Sequence, residues 1–297
     1  MTPGPAMHES DLFTRPTATV EAALAASLDA AGLPDHLLDA TRWGVLGGGK
    51  RLRPALVLMS CEAVDGRTEN AVPAAVALEL IHCFSLVHDD LPALDNDELR
   101  RGQPTLHVKS GEAMAILAGD LMLSMAFQQL LESPLDASVT CSLVSELAGG
   151  TTSMVIGQVY DTLGGLPGQL DAREQLQLMH RNKTGALLRA ACRMGGYCGK
   201  ADEQSMQSLT SFGEAVGLMF QVVDDLLDVT QTAEHIGKAT GKDQDMGKLT
   251  FPGLLGVDAS RQVVVELEQR AMDALTPLGS NADPLRDLGR FMAIRTK

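Results

Sequence analysis

Seven aspartates in two groups carry most of the chemistry that this 297-residue sequence can offer. The first group, Asp89, Asp90, Asp95 and Asp97, closes the run ELIHCFSLVHDDLPALDND and is followed at once by Arg100 and Arg101. The second, Asp224, Asp225 and Asp228, emerges from the equally apolar GLMFQVVDDLLDV. Acids beside guanidiniums in apolar surroundings are costly unless something bridges or neutralises them. A hard divalent cation with oxygen ligands does so. Two such groups point to one shared site in which magnesium bridges a diphosphate.

The spacing supports this unevenly. Asp224 and Asp228 are four apart and share a helix face, where like charges repel, while Asp225 points elsewhere. A solvated acidic stripe is the plain alternative, but Val222, Val223, Leu226, Leu227 and Val229 leave little of that helix polar besides the acids. Asp89 and Asp90 end a helix, whereas Asp95 follows the helix-breaking Pro92, so only a loop that doubles back would bring it to the same metal. Magnesium keeps several waters and takes one or two carboxylates plus phosphate oxygens. The glycine-turn loop of an EF-hand is absent, which argues against calcium buffering.

Basic residues complete the set. Lys50 and Arg53 follow the glycine connector Gly47-Gly48-Gly49, and Lys183, Lys238, Lys242 and Lys248 occupy the second half. Any one lysine is ordinarily a surface charge, and Arg100-Arg101 beside acids is ordinarily an ion-pair network. Two acid groups with separate basic groups are nevertheless what two anionic substrates require. One diphosphate would bind through metal and the other directly through guanidinium and ammonium.

The elements that must position these residues are helical. Hydrophobic residues make up 45% of the chain and aromatics only 3%, with alanine, leucine and methionine prominent, which favours helices. No alternating valine/isoleucine run appears, so no sheet is expected. Helical patterns run through 19–31, 34–46, 54–64, 70–91, 111–131 and 138–163, then again from Asp171, from Asp202 and from Pro252. Asp171 with Glu174 three on resembles a capping box. The expectation is an all-α, single-domain bundle over residues 18–297, preceded by a flexible arm over 1–17.

The net charge of −14 excludes a nucleic-acid surface, since phosphate backbones need basic stripes. Five cysteines without CxxC spacing indicate free thiols and a cytoplasmic location. No apolar run of about 18 residues is free of charge, so no membrane span is expected.

GGGKRLRP (Gly47 to Pro54), DDLPALD (Asp89 to Asp95), RRG (Arg100 to Gly102), NKTGAL (Asn182 to Leu187), FQVVDDLLD (Phe220 to Asp228) and GKATGKD (Gly237 to Asp243) occur in that order. The sequence thereby resembles the trans-isoprenyl diphosphate synthases, the head-to-tail prenyltransferases, over nearly the whole chain from about Ala18. The resemblance implies the isoprenoid synthase fold, a bundle of roughly ten or more helices around a central cavity, and a homodimer. It implies Asp89, Asp95 and Asp224 as ligands of three magnesium ions, with Asp90, Asp225 and Asp228 acting behind them or through water. Arg100, Lys183 and Lys238 would hold the allylic diphosphate, with Gln158 and Asp161 nearby. Lys50, Arg53, His82 and Arg101 would hold isopentenyl diphosphate. Lys183, Thr184 and Gln221 would stabilise the allylic cation. Taken alone, His82 on an apolar helix is ordinarily a core residue, and His88 gains no role.

Product length rests on Phe84, five residues before Asp89, where the resemblance places an aromatic that blocks the elongation tunnel. Five residues span about 7.5 Å of helix axis, but not one face, so Phe84 could also pack on a neighbouring helix. The expectation is farnesyl diphosphate synthesis, with geranylgeranyl diphosphate as the alternative suggested by HIGKATGKD. A terpene cyclase would need pocket aromatics, of which the chain has few. A head-to-head synthase would lack GGGKRLRP, and a regulatory subunit could dispense with one acid group. Residues 231–250 are expected to order over bound diphosphate as a lid.

Overall fold

A computed structural model describes residues 9–234 and 249–295. Ten α-helices precede the gap: α1 Glu9–Ala30, α2 Asp35–Leu46, α3 Leu52–Ala63, α4 Thr68–Asp89, α5 Leu106–Ser110, α6 Glu112–Leu131, α7 Ala137–Leu163, α8 Ala172–His180, α9 Ala186–Cys198 and α10 Glu203–Glu234. After it come α11 Phe251–Leu255, α12 Val257–Ala274 and α13 Asp283–Ile294. The all-helical bundle expected from the sequence is the one observed.

Helix α4 is the centre. Alanines at 71, 74, 75 and 77 let α3, α6 and α9 approach closely, and Leu78, Leu80 and Ile81 are fully buried among them. A helix apolar on all sides belongs inside a bundle. Its one buried acid, Glu79, meets the Arg51 guanidinium at 2.7 Å, and Arg51 also donates to the Val45 carbonyl. That pair fastens the glycine connector to α4, leaving Lys50 and Arg53 for other work.

Three expectations need correction. Residues 9–17, read as part of a loose arm, belong to α1, and Leu12 and Phe13 are buried, Phe13 edge-on to Phe291 at 5.7 Å. Their apolar side chains find the bundle despite Pro16. A sheet does exist, although minimal: Leu99–Arg100 (β1) pairs antiparallel with Gln103–Pro104 (β2). Its turn residues Arg101 and Gly102 both have positive φ, as a tight type I′ turn requires, which is why the glycine is there. Lastly, α4, α6 and α7 are each long and apolar enough to cross a membrane by length and composition. The charge-free criterion applied to the sequence was stricter than such a span needs. In α4 the apolarity serves the core, since 61% of its most apolar window is buried, against 22% in α7.

Candidate active site

The end of α4 builds the first acid group. The helix stops at Asp89, Pro92 prevents its continuation, and the chain turns back so that the Asp95 amide donates to the Asp89 carbonyl at 2.9 Å. Asn96, with φ +51, completes the reversal by donating to the Leu91 carbonyl. Asp95 is thus delivered beside Asp89 by a loop and not by helix periodicity. Burial, with the charges of Asp95 and Asp90 beside it, lifts the Asp89 carboxyl to about 6, against the opposing pull of Lys183 and Arg100. Asp90 is different: it is buried, and Arg100 grips both its oxygens through Nε (2.8 and 2.9 Å), with Nη2 at 2.5 Å. Arg100 therefore neutralises Asp90 from the hairpin, a partner that Asp89 and Asp95 do not share.

The second group divides in the same way. Asp225 is buried and both oxygens are engaged, one by Gln221 Nε2 at 3.1 Å and the other by the Phe251 amide at 2.9 Å. His180, stacked on Phe251 with centroids 5.8 Å apart, places Nε2 3.6 Å from Asp225. The acid that points away from its neighbours thus anchors α8 and α11 to α10. Asp224 pairs with Arg295 at 2.5 Å. Burial, the larger cause, raises its carboxyl above the ordinary range in spite of that arginine. Asp228 lies one turn further along α10.

A π-helical turn, Arg181–Gly185, interrupts the path from α8 to α9. Sequence periodicity assigned Lys183 and Thr184 to an ordinary helix, whereas the structure places both in this wider turn. Such bulges recur at functional sites because they re-aim side chains. Two glycines make room for it. A Cβ on Gly157 of α7 would strike the Lys183 amide nitrogen, and one on Gly217 of α10 would lie 2.8 Å from Gly185 Cα. Lys183 Nζ meets Asp161 at 2.5 Å, and Thr184 Oγ1 donates to Gln221 Oε1 at 3.1 Å.

Three clefts join around these residues. One, about 390 Å³, runs between α4 and α7, with Phe84, Asp89, Gln158, Lys183 and Thr184 on its walls. Another opens at the glycine connector between Lys50, Arg53, His82, Arg101, Phe220 and Arg295. The third holds Asp161, Lys183, Gln221 and Asp225. Arg53 and His82 line the first two, and Lys183 lines the first and third. Arg53 Nη1 lies 3.4 Å from His82 Nε2, while Arg53 Nε is buried without a hydrogen-bond partner among the described residues. Burial and the nearby guanidiniums of Arg53, Arg101, Arg100 and Arg51 hold His82 well below the usual imidazole range, so it is neutral. Arg101 donates to the Gly48 carbonyl, which ties the hairpin tip to the connector. Of the expected site residues, Lys50, Arg53, His82, Phe84, Asp89, Arg101, Gln158, Asp161, Lys183, Thr184, Gln221 and Asp225 line these three clefts, Asp90 and Arg100 line a neighbouring pocket beside Arg101, and Asp95, Asp224 and Asp228 line none of them. Lys238, Lys242 and Lys248, with most of the expected lid, lie outside the described residues.

Phe84 lines the first cleft and also packs partly against the core; its ring stands edge-on to His88 at 5.3 Å. Sequence reading missed Arg295, which stacks on Phe220 at 3.9 Å while pairing with Asp224, and His180 behind Asp225. Neither belongs to a motif, and only the tertiary fold brings them to the acids.

The donor set suits magnesium. Hard oxygens whose charge is disfavoured in the free protein are relieved by a divalent ion. No three acid, histidine or cysteine ligands converge on one point among the described residues. Each ion would accordingly be completed by phosphate oxygens and water, as magnesium prefers.

The sequence model of the polyprenyl synthetase family matches residues 34–274. Among curated relatives, the large subunit 1 of a heterodimeric geranylgeranyl pyrophosphate synthase of Arabidopsis thaliana is 42% identical over 88% of this chain and 73% of its own. A geranylgeranyl pyrophosphate synthase of Capsicum annuum is 43% identical over 88% and 72%. Among solved structures, a geranyltransferase of Legionella pneumophila superposes with TM-score 0.84 at 32% identity, covering 96% of each chain. An FPP/GFPP synthase of Zymomonas mobilis gives TM-score 0.83 at 32% identity over 96% and 100%.

Proposed function

The chain belongs to the polyprenyl synthetase family, and we propose that it condenses isopentenyl diphosphate with allylic diphosphates as far as the twenty-carbon product, geranylgeranyl diphosphate. Its prenyltransferase character follows from the family. The observation that carries the reading is the junction itself: a cation-lined cleft and an acid-rimmed apolar cleft meet at Arg53 and His82.

Isopentenyl diphosphate would sit at Lys50, Arg53 and Arg101, where the buried, unpartnered Arg53 Nε supplies a donor already free of water. His82, neutral and beside Arg53, orients that guanidinium without adding a positive charge of its own. The allylic chain would lie along α4 and α7 with its diphosphate toward Asp89, Asp95 and Asp224. Magnesium held there supplies Lewis-acid stabilisation of the departing diphosphate. Lys183 adds a fixed positive charge, and the Thr184–Gln221 hydrogen bond holds the amide oxygen where an allylic cation develops. Positioning the second double bond beside that cation accounts for the rest of the rate.

Farnesyl diphosphate is the second reading, and Phe84 favours it, because its ring occupies the cleft wall one and a half turns below Asp89. Incubating purified protein with magnesium, labelled isopentenyl diphosphate and each allylic primer, then sizing the products, separates the two; no condensation with any primer overturns both. Exposed Ile116 and Leu117 on α6 and Ile156 on α7 suit a homodimer built on those helices. The free thiols fit the proposed cytoplasmic setting.

A further inference from the structure

Behind the π turn lies a cavity of about 260 Å³ that none of these roles uses. Its walls bring together Arg181 from the turn, Arg189 from α9 and Arg270 from α12. Glu214 is the only acid among its lining residues, and Asn182 and Ser153 add neutral polar groups. None of the three guanidinium groups has a hydrogen bond or ion pair to any described residue. Three guanidiniums converging on one hollow repel each other, and the arrangement is conspicuous in a chain with a net charge of −14.

We propose that this cavity is a second oxyanion site, specific for a diphosphate group, separate from the clefts that hold the substrates. Arginine forks match phosphate oxygens two at a time, and three of them on three elements suit a group with several negative charges. Small residues, Gly185 and Ala186, form part of the wall. The occupant would touch Arg181 and Asn182, the residues immediately before Lys183. The two glycine contacts described above leave the turn little room to move, so the site lies directly behind the amine that faces the active cleft.

The test is equilibrium dialysis of labelled inorganic diphosphate in magnesium-free buffer, with isopentenyl diphosphate as a parallel probe. Two equivalents should bind, one at Lys50 and Arg53 and one here. Arg189→Met with Arg270→Met should remove one equivalent and leave the melting temperature and the basal condensation rate unchanged. Arg270 is exposed, so Arg270→Gln alone gives a second variant that folds, and it should weaken the second equivalent about tenfold or more. Equal loss with both probes assigns recognition to the diphosphate head, whereas loss confined to the inorganic probe assigns the free anion. A single equivalent in the unaltered protein, or two that persist in the double variant, overturns the site.

Discussion

Arg295 Nη2 lies 2.5 Å from Asp224 Oδ1, so a guanidinium from the end of the chain stands at the carboxylate proposed to bind magnesium. The Arg295 side chain is 8% exposed and is held from the other side by the Phe220 ring and carbonyl. A cation arriving at Asp224 must share or displace that partner. Arg295→Met should lower the magnesium concentration for half-maximal activity about three- to tenfold, the range for removing a half-buried ion pair. An unchanged magnesium profile would show that the pair and the metal do not compete.

Asp89 and Asp224 should be indispensable to turnover and dispensable to folding. Each carries a carboxyl whose charged form the fold disfavours, so removing it costs the folded state little. Asp89→Ala or Asp224→Ala should reduce the condensation rate by about a thousandfold or more while far-UV helicity is retained. Activity within tenfold of the unaltered enzyme would refute the ligand assignment.

The same carboxyl gives a pH signature. Asp89 titrates near 6 in the fold, above its unfolded value, so the folded state binds this proton more tightly. Its contribution to stability is complete below the ordinary carboxylate range and is lost as pH rises through about 6. Asp224 acts in the same direction. Magnesium with a diphosphate favours the ionised acids, so the rise in melting temperature that the pair produces should grow between about pH 4 and pH 6. A ligand-induced rise that is flat across that window would contradict this account.

Phe84 decides between the two product lengths. If its ring is the floor of the cleft, Phe84→Ala opens space between α4 and α7 and should add one or more five-carbon units to the main product. The half-buried position makes the cost to stability modest, about 1–3 kcal/mol. An identical product distribution would place the floor elsewhere along the cleft.

Much of this was legible before any coordinates. Helix identity followed from composition and periodicity, because long apolar faces can be satisfied only by packing on one another. Asp89 with Asp95 could be expected only as a loop-borne pair, and the Asp95 amide shows how the loop achieves it. What stayed hidden was tertiary or irregular. The π turn is invisible to a 3.6-residue period, and the partners that remove Asp90 and Asp225 from direct service, Arg100 and Phe251, lie 10 and 26 positions away. Leu12 and Phe13 were misjudged because a proline-containing terminus reads as unstructured until a docking surface is known.

The contact between Arg101 and the Gly48 carbonyl joins the two ends of the reaction chamber. One end carries the acids proposed to face magnesium, the other the cations proposed for isopentenyl diphosphate, and a ligand that shifts either must strain or relax the fastening. Thermodynamic reciprocity then applies: whatever factor one substrate adds to the other's affinity must be returned in equal measure. The order in which the two substrates enter would be a matter of rate alone, because the energy of the filled chamber is the same by either route.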